Sequence, residues 1–415
     1  MIGRPGGTWY ACRVTRRDGH VRQVRAADPS VPRVELRKDL RFAIGAGHPW
    51  IWRDALMPHH VPIGTDVRVV DREGRFVARA LIDAGPIGAR VLSWRRDVPI
   101  DAALIRSRVD QALALRARIA PPDTDALRLV HGEGDGLPGI VVDRYAHALV
   151  VKTDGSAAET ILPFVLDALA EHGHETILLR RGRGESKKTE VVRGTRPAGV
   201  IEVREHGMVL PVDVVHGQKT GLFLDHRESR RRVRSLASGA RVLNLYGYTG
   251  GFSIAAGLGG AVHVLTVDIA EAALGLANEG WKRNGLSASA HEVSVGDAPK
   301  VLEALRLKDE RFDLVIADPP SFAPNEAAVP EAVRSYRALH RACLRLLTPR
   351  GLYLAASCSS HVRREAFDRT LLDAAEKASS VLQVIERWGA PADHPQLAAF
   401  PEGEYLKCTL ARVIS

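Results

Sequence analysis

Two stretches near the middle of the chain decide its fold: Arg241-Val-Leu-Asn-Leu-Tyr-Gly-Tyr-Thr-Gly-Gly-Phe-Ser253 and, shortly after, Val262-His-Val-Leu-Thr-Val-Asp268. The apolar run at 242–245 predicts a buried strand of a parallel sheet. Three glycines then permit a tight turn and a close approach of a ligand to the backbone. A helix is predicted to start at Phe252, and Asp268 ends the next strand. This alternation predicts a doubly wound α/β sheet.

The same stretches indicate a ligand. An acid at the end of the second strand, here Asp268, binds a ribose diol in nucleotide-binding α/β folds. The glycine spacing is not G-x-G-x-x-G, which disfavours NAD. A nucleoside without a pyrophosphate fits better, and S-adenosylmethionine is the obvious candidate. The alternative is a structural turn in some other α/β protein.

A second acid ends another predicted strand, in Phe312-Asp-Leu-Val-Ile-Ala-Asp-Pro-Pro-Ser-Phe-Ala323. The two prolines fix φ and remove two backbone donors, so the loop after Asp318 is stiff and its carbonyls stay free. Such a loop at the carboxyl end of a sheet suits the reacting group of a substrate. The alternative is a plain strand-to-turn junction, because Asp-Pro is common in turns.

A third predicted strand, at 352–356, leads into Ser357-Cys-Ser359. Cys358 is expected at the same edge of the sheet as Asp318. A thiol near a carboxylate and a sulfonium-bearing cofactor suggests covalent catalysis. Taken alone, a cysteine at a strand end is as often a small buried hydrophobic residue.

Composition limits the classes of protein. A chain of 415 residues predicts two or three domains. Lys and Arg number 58 against 49 Asp and Glu, which gives a net charge of +9. That excess suits a phosphate backbone as a partner, although coding bias explains an Arg-rich chain equally well.

The cysteines and the apolar segments indicate the compartment. Four widely spaced cysteines without a C-x-x-C pair predict a reducing, cytoplasmic location. The start of the chain lacks the apolar segment of a secretory signal, and no run reaches the ~18 apolar residues that span a bilayer. The histidines show no ligand spacing, so neither a membrane nor a metal is expected as a partner.

With these elements in order, the chain resembles the RlmI-like bacterial 23S rRNA cytosine-C5 methyltransferases from about residue 34 onwards. Besides the three stretches above, the resemblance rests on Ala46-Gly-His-Pro-Trp50, Glu133-Gly-Asp-Gly-Leu-Pro-Gly-Ile-Val-Val-Asp-Arg-Tyr145, Gly217-Gln-Lys-Thr-Gly-Leu-Phe-Leu-Asp-His-Arg227, Asp393-His-Pro395 and Phe400-Pro-Glu-Gly-Glu-Tyr-Leu-Lys407. Two positions differ from the residues that are common in related groups of methyltransferases. Asn244 stands where many class I methyltransferases have an acid. Ser321 stands where two-cysteine RNA cytosine methyltransferases have a second cysteine, so Cys358 is the only candidate nucleophile.

The resemblance implies a domain layout. Residues 34–101 form a small β-barrel resembling the RNA-binding PUA domain, 102–216 a connecting helix and a central α+β domain, and 217–415 a Rossmann-like class I methyltransferase domain. Residues 1–33 have no recognised counterpart and are predicted to be a flexible extension. For the barrel, packing against its neighbour without RNA contact is the alternative. The basic stretch 180–188 is either an RNA clamp or a solvated loop.

The resemblance also implies site residues. The cofactor is expected at Tyr246, Gly247, Thr249, Gly250, Asp268, Asp297, Gln218, Lys219, Thr220 and Asp225. The thiolate of Cys358 would add to the cytosine ring, which requires a site that favours the anion. Asp318 would hold the base edge, and Pro319, Pro320 and Phe322 would contact the base. Asp297 also suits the N-cap of a helix.

Other functions stay open. A methyltransferase acting on another RNA base atom would not need Cys358. A non-catalytic RNA-binding factor of ribosome assembly would bind RNA without the cofactor. A methyltransferase of small molecules would leave the N-terminal barrel without a purpose. The sequence does not identify the target nucleotide or the oligomeric state, for which a homodimer is one option.

Overall fold

The computed structural model describes residues 30–182 and 188–414. Most of the predicted N-terminal extension, with Cys12, lies outside the described residues, as do residues 183–187 of the basic stretch. Within the described ranges, no helix is long and apolar enough to cross a membrane. In the same ranges, no cluster of three or more His, Cys, Asp or Glu side chains is placed to hold a metal ion.

The N-terminal unit is a five-stranded sheet with one short helix. Its elements are β1 (Arg33–Glu35), α1 (Arg41–Gly45), β2 (Trp50–Trp52), β3 (Asp66–Val70), β4 (Phe76–Ile82) and β5 (Ile87–Ser93). The strands lie in the order β1-β3-β4-β5-β2. A bridge between Leu36 and Leu56 joins the segments that follow the two edge strands, so the sheet curls into the predicted small barrel around a buried apolar cluster.

The central unit is a second five-stranded sheet, covered by two helices. Its elements are α2 (Ala102–Ile119), β6 (Ala126–His131), β7 (Ile140–Tyr145), β8 (Ala148–Thr153), α3 (Ser156–Glu171), β9 (Thr176–Arg181) and β10 (Lys188–Arg193). The strands lie in the order β10-β9-β8-β7-β6, and only β8 and β9 run parallel. A hairpin of β11 (Ile201–Glu205) and β12 (Met208–Val212) follows.

The C-terminal unit is a seven-stranded sheet with helices on both faces. Its strands are β13 (Arg241–Leu245), β14 (His263–Asp268), β15 (His291–Val295), β16 (Phe312–Ala317), β17 (Leu347–Ser357), β18 (Leu382–Trp388) and β19 (Lys407–Val413). Its helices are α4 (Arg227–Leu236), α5 (Gly251–Leu258), α6 (Glu271–Arg283), α7 (Ala298–Leu307), α8 (Val329–Leu344) and α9 (Arg364–Lys377). The strand order is β15-β14-β13-β16-β17-β19-β18, and β19 alone runs opposite to the other six strands.

This sheet confirms the predicted doubly wound fold. Strands β13, β14 and β16 are buried on both faces, as their continuous apolar runs predicted. The hairpin of β11 and β12, which the predicted boundary at 217 assigns to the central domain, shares one buried cluster with this sheet. Because β13, β14, β16 and β17 are parallel, their carboxyl ends meet at one edge, and the loops that follow them surround a common space.

Candidate active site

A cavity of about 680 Å³ opens at the carboxyl ends of these strands. Its size and largely apolar walls suit a nucleoside-sized ligand. The lining includes all but two of the predicted site residues: Gln218, Lys219, Asp225, Tyr246, Gly247, Thr249, Asp268, Asp297, Asp318, Pro319, Pro320, Phe322 and Cys358. Thr220 and Gly250 are not part of it.

The turn after β13 is held in an unusual backbone conformation. Positive φ falls on Tyr246 (56°), Tyr248 (48°) and Gly250 (73°), so two of the three positions are tyrosines rather than glycines. Such a conformation is strained for a residue with a bulky side chain and recurs at functional sites. A Cβ on Gly250 would lie 2.5 Å from the Cβ of Ala277, so this glycine lets α5 approach α6 and has a structural reason of its own.

Asp268 is fixed at the end of β14 by its own turn. Its Oδ2 accepts a hydrogen bond from the backbone N–H of Tyr248 at 2.8 Å, and its Oδ1 accepts one from Ala270 at 2.9 Å. Each carboxylate oxygen keeps a further lone pair on the side of the cavity. This arrangement suits two vicinal hydroxyl groups of a ribose.

Asp225 carries an unpaired buried oxygen beside the same cavity. Its Oδ2 accepts from Lys219 Nζ and from the Tyr405 hydroxyl, both at 2.9 Å, whereas Oδ1 has no partner among the described residues. Burial opposes ionisation, but Lys219 and then His226 outweigh it and hold the pKa of Asp225 well below its ordinary value. A buried acceptor without a partner calls for a donor from a ligand, and the ammonium group of S-adenosylmethionine is such a donor. Together with Asp268 at the end of β14, whose carboxylate lines the same cavity, the residues present fit this cofactor.

Thr220 faces away from the cavity. Its buried hydroxyl donates to Asp143 Oδ2 at 2.5 Å and lies 2.8 Å from the Tyr145 hydroxyl, so it ties the loop to the central unit. The guanidinium of Arg180 supports the same loop through the backbone carbonyls of Val214 and Gly217, at 2.6 and 3.0 Å. Arg180 is therefore a buried anchor that positions Gln218 and Lys219, not part of a surface clamp.

Asp297 lies at the N-cap position of α7 without acting as a side-chain cap. Its backbone is extended, with φ −73° and ψ 124°, but its carboxylate accepts no capping hydrogen bond. The side chain lines the cavity instead, together with Ala298 and Leu302. The capping alternative is thus not observed, and the carboxylate remains available to a ligand.

Cys358 and Asp318 lie at the ends of neighbouring strands and line one side of the cavity. The Cys358 sulfur is 3.9 Å from the Pro319 carbonyl. Burial, and then the charge of Asp318, raise the pKa of Cys358 to about 11. A half-buried sulfur beside carboxylates therefore stays protonated at neutral pH, so the thiolate that the covalent hypothesis requires needs a further positive charge nearby.

His226 is a cavity residue that the sequence reasoning missed. Its Nε2 lies 3.1 Å from Asp318 Oδ2, and its ring packs against Phe252. Burial lowers the pKa of His226, but the Asp318 carboxylate outweighs this effect and raises it to about 10. The imidazolium therefore pairs with Asp318 at neutral pH. The motif ending in Leu-Asp-His-Arg227 contained the signal, since a histidine next to a predicted site acid is a candidate itself.

Hydrogen bonds connect the loop that follows Asp318 with the loop that contains Cys358. The Tyr336 hydroxyl lies 2.8 Å from Ser357 Oγ and 3.0 Å from Ser359 Oγ, and Ser321 Oγ lies 3.1 Å from Ser359 Oγ. Ser321, at the position where other enzymes have a second cysteine, thus fixes the loop of Asp318 against the loop of Cys358. Phe322 packs its ring 4.8 Å from that of Tyr336.

Three further residues, Cys343, Cys408 and Asn244, lie in the interior and do not line the cavity. Cys343 and Cys408 are buried and do not line the cavity, so Cys358 is the only cavity cysteine within the described ranges. Asn244 is buried too, and its amide donates to Ser253 Oγ at 2.8 Å. It supports the turn rather than replacing the missing acid in the cavity.

A doubly wound sheet with a glycine-containing turn after β13, an acid at the end of β14 and a stiff loop after β16 at one edge is the architecture of a class I S-adenosylmethionine-dependent methyltransferase. A family model of S-adenosylmethionine-dependent methyltransferases matches residues 162–410, and one of PUA-like domains matches residues 34–94. The chain belongs to the family of ribosomal RNA large subunit methyltransferase I. It is 35% identical over 397 residues to that protein from Salmonella arizonae, covering 93% of this chain and 98% of the relative. To the Erwinia tasmaniensis protein it is 36% identical over 393 residues, covering 92% and 99%.

Solved structures share the fold. A protein from Streptococcus mutans, described as a SAM-dependent methyltransferase, superposes with a TM-score of 0.83 at 20% identity, over 92% of this chain and 100% of that chain. A second methyltransferase, in complex with S-adenosylhomocysteine, superposes with a TM-score of 0.82 at 22% identity, over 92% and 99%. The common fold thus spans both the PUA-like and the methyltransferase parts.

Proposed function

We propose that this protein methylates C5 of a cytosine in 23S ribosomal RNA through a transient covalent bond to Cys358. The observation that supports this most is one cavity that is lined by a cysteine and an acid from adjacent strand ends and by most of the predicted cofactor residues. The relatives are named for the RNA of the large ribosomal subunit, which supports the substrate class.

The reaction requires a nucleophile from the protein because C5 of cytosine is itself too weakly nucleophilic to accept a methyl group directly. The thiolate of Cys358 forms a bond to C6, and the electron pair of the C5–C6 double bond moves towards C5. Asp318, an ionised carboxylate paired with the imidazolium of His226, would bind the N3/N4 edge, and the imidazolium proton would be shared through Asp318 with N3 as negative charge enters the ring. Bound S-adenosylmethionine supplies the methyl group as an electrophile on its sulfonium. Loss of the C5 proton to water then restores the double bond and releases Cys358.

The cofactor is proposed to lie across the other wall of the cavity. Asp268 would bind the ribose diol, Asp225 the ammonium group, and Asp297 the adenine side. Pro319 and Pro320 keep the loop after β16 stiff, so Asp318 need not reorganise when the base arrives. A base in a helix must first be flipped out, which costs a few kcal/mol.

The PUA-like barrel is proposed to contact RNA. The motif residues His48 and Trp50 pack against Phe400 of the methyltransferase part, with ring centroids 5.6 and 4.6 Å apart, and Trp50 Nε1 donates to Glu133 at 2.8 Å. These residues therefore fix the barrel relative to the cavity. The exposed ring of Phe42, on α1, remains free to stack on a base.

The test is methyl transfer from labelled S-adenosylmethionine to bacterial 23S rRNA that lacks its cytosine-C5 methylation. The RNA is digested, and the labelled nucleoside is identified by mass spectrometry. We expect label in 5-methylcytidine with the wild type, none with Cys358→Ala, and near-normal transfer with Cys343→Ala, a control that removes a cysteine outside the cavity. Cys358→Ala should still bind the cofactor.

Other outcomes separate the alternatives. Label in another nucleoside, or full activity of Cys358→Ala, would reject the covalent cytosine mechanism and support methylation of a different base atom. RNA binding without cofactor binding would support the assembly factor.

A further inference from the structure

Lys407 is a buried cation directly behind the candidate nucleophile. It is 1% exposed, and in the sheet it pairs with Ser357, the residue before Cys358. Its Nζ donates to the carbonyl of Ser359, the residue after Cys358, at 2.6 Å, and to the carbonyl of Tyr405 at 2.8 Å. Lys407 thus contacts the loop of Cys358 on both sides of the cysteine, and it does not line the cavity.

The ammonium group has no anionic partner at contact distance. Both hydrogen bonds go to neutral carbonyls, and no carboxylate of the described chain forms an ion pair with it. A buried charge without a counter-charge is costly, and an apolar side chain would fill the same space more cheaply. Burial lowers the pKa of Lys407 to about 8, whereas a charged Cys358 acts in the opposite direction. Because a charge interaction acts on both partners, a protonated Lys407 favours the thiolate of Cys358 in turn.

The remaining charges around the two groups do not replace this pairing. Around Cys358, Asp318 and Asp225 disfavour the thiolate, and so does any negative charge on Tyr336. Lys219 favours it, but its Nζ is already engaged by Asp225 Oδ2 at 2.9 Å.

Three further groups act on Lys407 itself. Arg364 lowers its pKa, whereas Glu404 and Cys408 raise it, and none of the three forms an ion pair with its Nζ. Within the described chain, Lys407 is thus a cation next to Cys358 that no carboxylate neutralises.

We propose that Lys407 is a positioning residue that stabilises the thiolate of Cys358 and holds its loop for attack. This inference rests on the covalent function proposed above. On activation the thiol proton leaves to solvent, the sulfur becomes the anion, and Lys407 keeps its own proton without forming or breaking a covalent bond. The cavity can then generate its nucleophile without a histidine base.

Alkylation of Cys358 tests this without methyl transfer. The full-length protein is treated with iodoacetamide between pH 7 and 11, and modification of the Cys358 peptide is followed by mass spectrometry. Lys407→Met removes the charge but keeps the length and an apolar interior. We expect it to slow alkylation by at least about tenfold, which is one pKa unit, at pH 7, where Lys407 with a pKa of about 8 is still mostly protonated. At high pH, where Lys407 is neutral in the wild type as well, the two rates should converge. Lys407→Arg should stay within a few-fold of the wild type.

Several results would overturn the proposal. An unchanged rate profile in Lys407→Met, with an unchanged melting temperature, would show that the charge does not act on Cys358. Equal losses in the Met and Arg variants would indicate a packing role. If Lys407→Met does not fold, the exposed Glu404→Gln variant is measured instead. Removing this carboxylate lowers the pKa of Lys407 and should therefore shift the pH dependence of Cys358 alkylation. An unshifted pH dependence would show that the charge of Lys407 does not act on Cys358. Full methyl transfer by Cys358→Ala would instead reject the covalent function, so the two failures are distinguishable.

Discussion

The pair of His226 and Asp318 predicts a contribution to stability that depends on pH. Its two atoms lie 3.1 Å apart, and the His226 side chain is 3% exposed. Burial works against the charged ring, but the carboxylate outweighs it and raises the pKa of His226 from 6.5 to about 10. The folded protein therefore holds a proton that the unfolded chain releases above its ordinary pKa.

The sign and size of the effect follow from this shift. Because the pKa of His226 is raised in the folded state, its contribution to the free energy of unfolding is fully present below pH 6.5. This contribution is lost as the pH rises through about 10. Each pH unit inside this window is worth about 1.4 kcal/mol, so the whole window amounts to roughly 4–5 kcal/mol as an upper limit. The variant His226→Gln lacks this pH-dependent contribution to stability. The stability difference between wild type and variant should thus be largest near pH 6.5 and shrink towards pH 10.

The assay is thermal unfolding of the wild type and the variants at half-unit steps from pH 4 to 10. Comparing the two cancels other groups that titrate in this range, and lost packing against Phe252 adds only a constant. His291→Gln is the control of opposite sign, because burial lowers the pKa of His291 to about 4 and its contribution is lost as the pH falls below 6.5. A difference for His226→Gln that stays constant from pH 6.5 to 10 would refute a charged His226 in the fold.

Three other substitutions test the assignments around the cavity. Asp268→Ala should weaken S-adenosylmethionine binding about 10- to 100-fold by calorimetry, because hydrogen bonds to a charged group contribute about 1.5–3 kcal/mol. Thr220→Val should lower the melting temperature, since it leaves the buried Asp143 carboxylate short of a donor, at about 1–3 kcal/mol, but cofactor affinity should change less than threefold. A large affinity loss would place Thr220 in the site after all. Gly250→Ala should destabilise the fold by more than about 1 kcal/mol, because its φ is +73° and the new Cβ meets Ala277. Gly275→Ala, whose Cβ meets nothing within 4 Å, should be neutral or stabilising in the same denaturation experiment.

Much of the site was predictable because strand ends are a local property of the sequence. Apolar runs ending in Asp268 and Asp318 predict buried parallel strands, and parallel strands place their carboxyl ends at one edge. Cys358 was placed by the same reasoning, and the structure puts all three side chains around one cavity. The glycine turn was predicted too, although the positive φ values fall on Tyr246 and Tyr248.

The direction of a loop side chain was not predictable. Thr220 and Lys219 are neighbours in one motif, yet Lys219 lines the cavity and Thr220 bonds to Asp143 of the central unit. No periodicity applies in a loop, so which of two neighbours points inwards depends on the partners that the fold brings to each.

The sequence by itself determined the doubly wound sheet, the small N-terminal barrel and the order of acids and thiol at the strand ends, because these follow from local patterns of apolar residues and turns. Only the tertiary structure decided the electrostatics: His226 against Asp318, Lys407 behind Cys358, and the raised pKa of the thiol. Charge interactions depend on distance and burial between residues far apart in the chain, and neither quantity exists until the chain has folded.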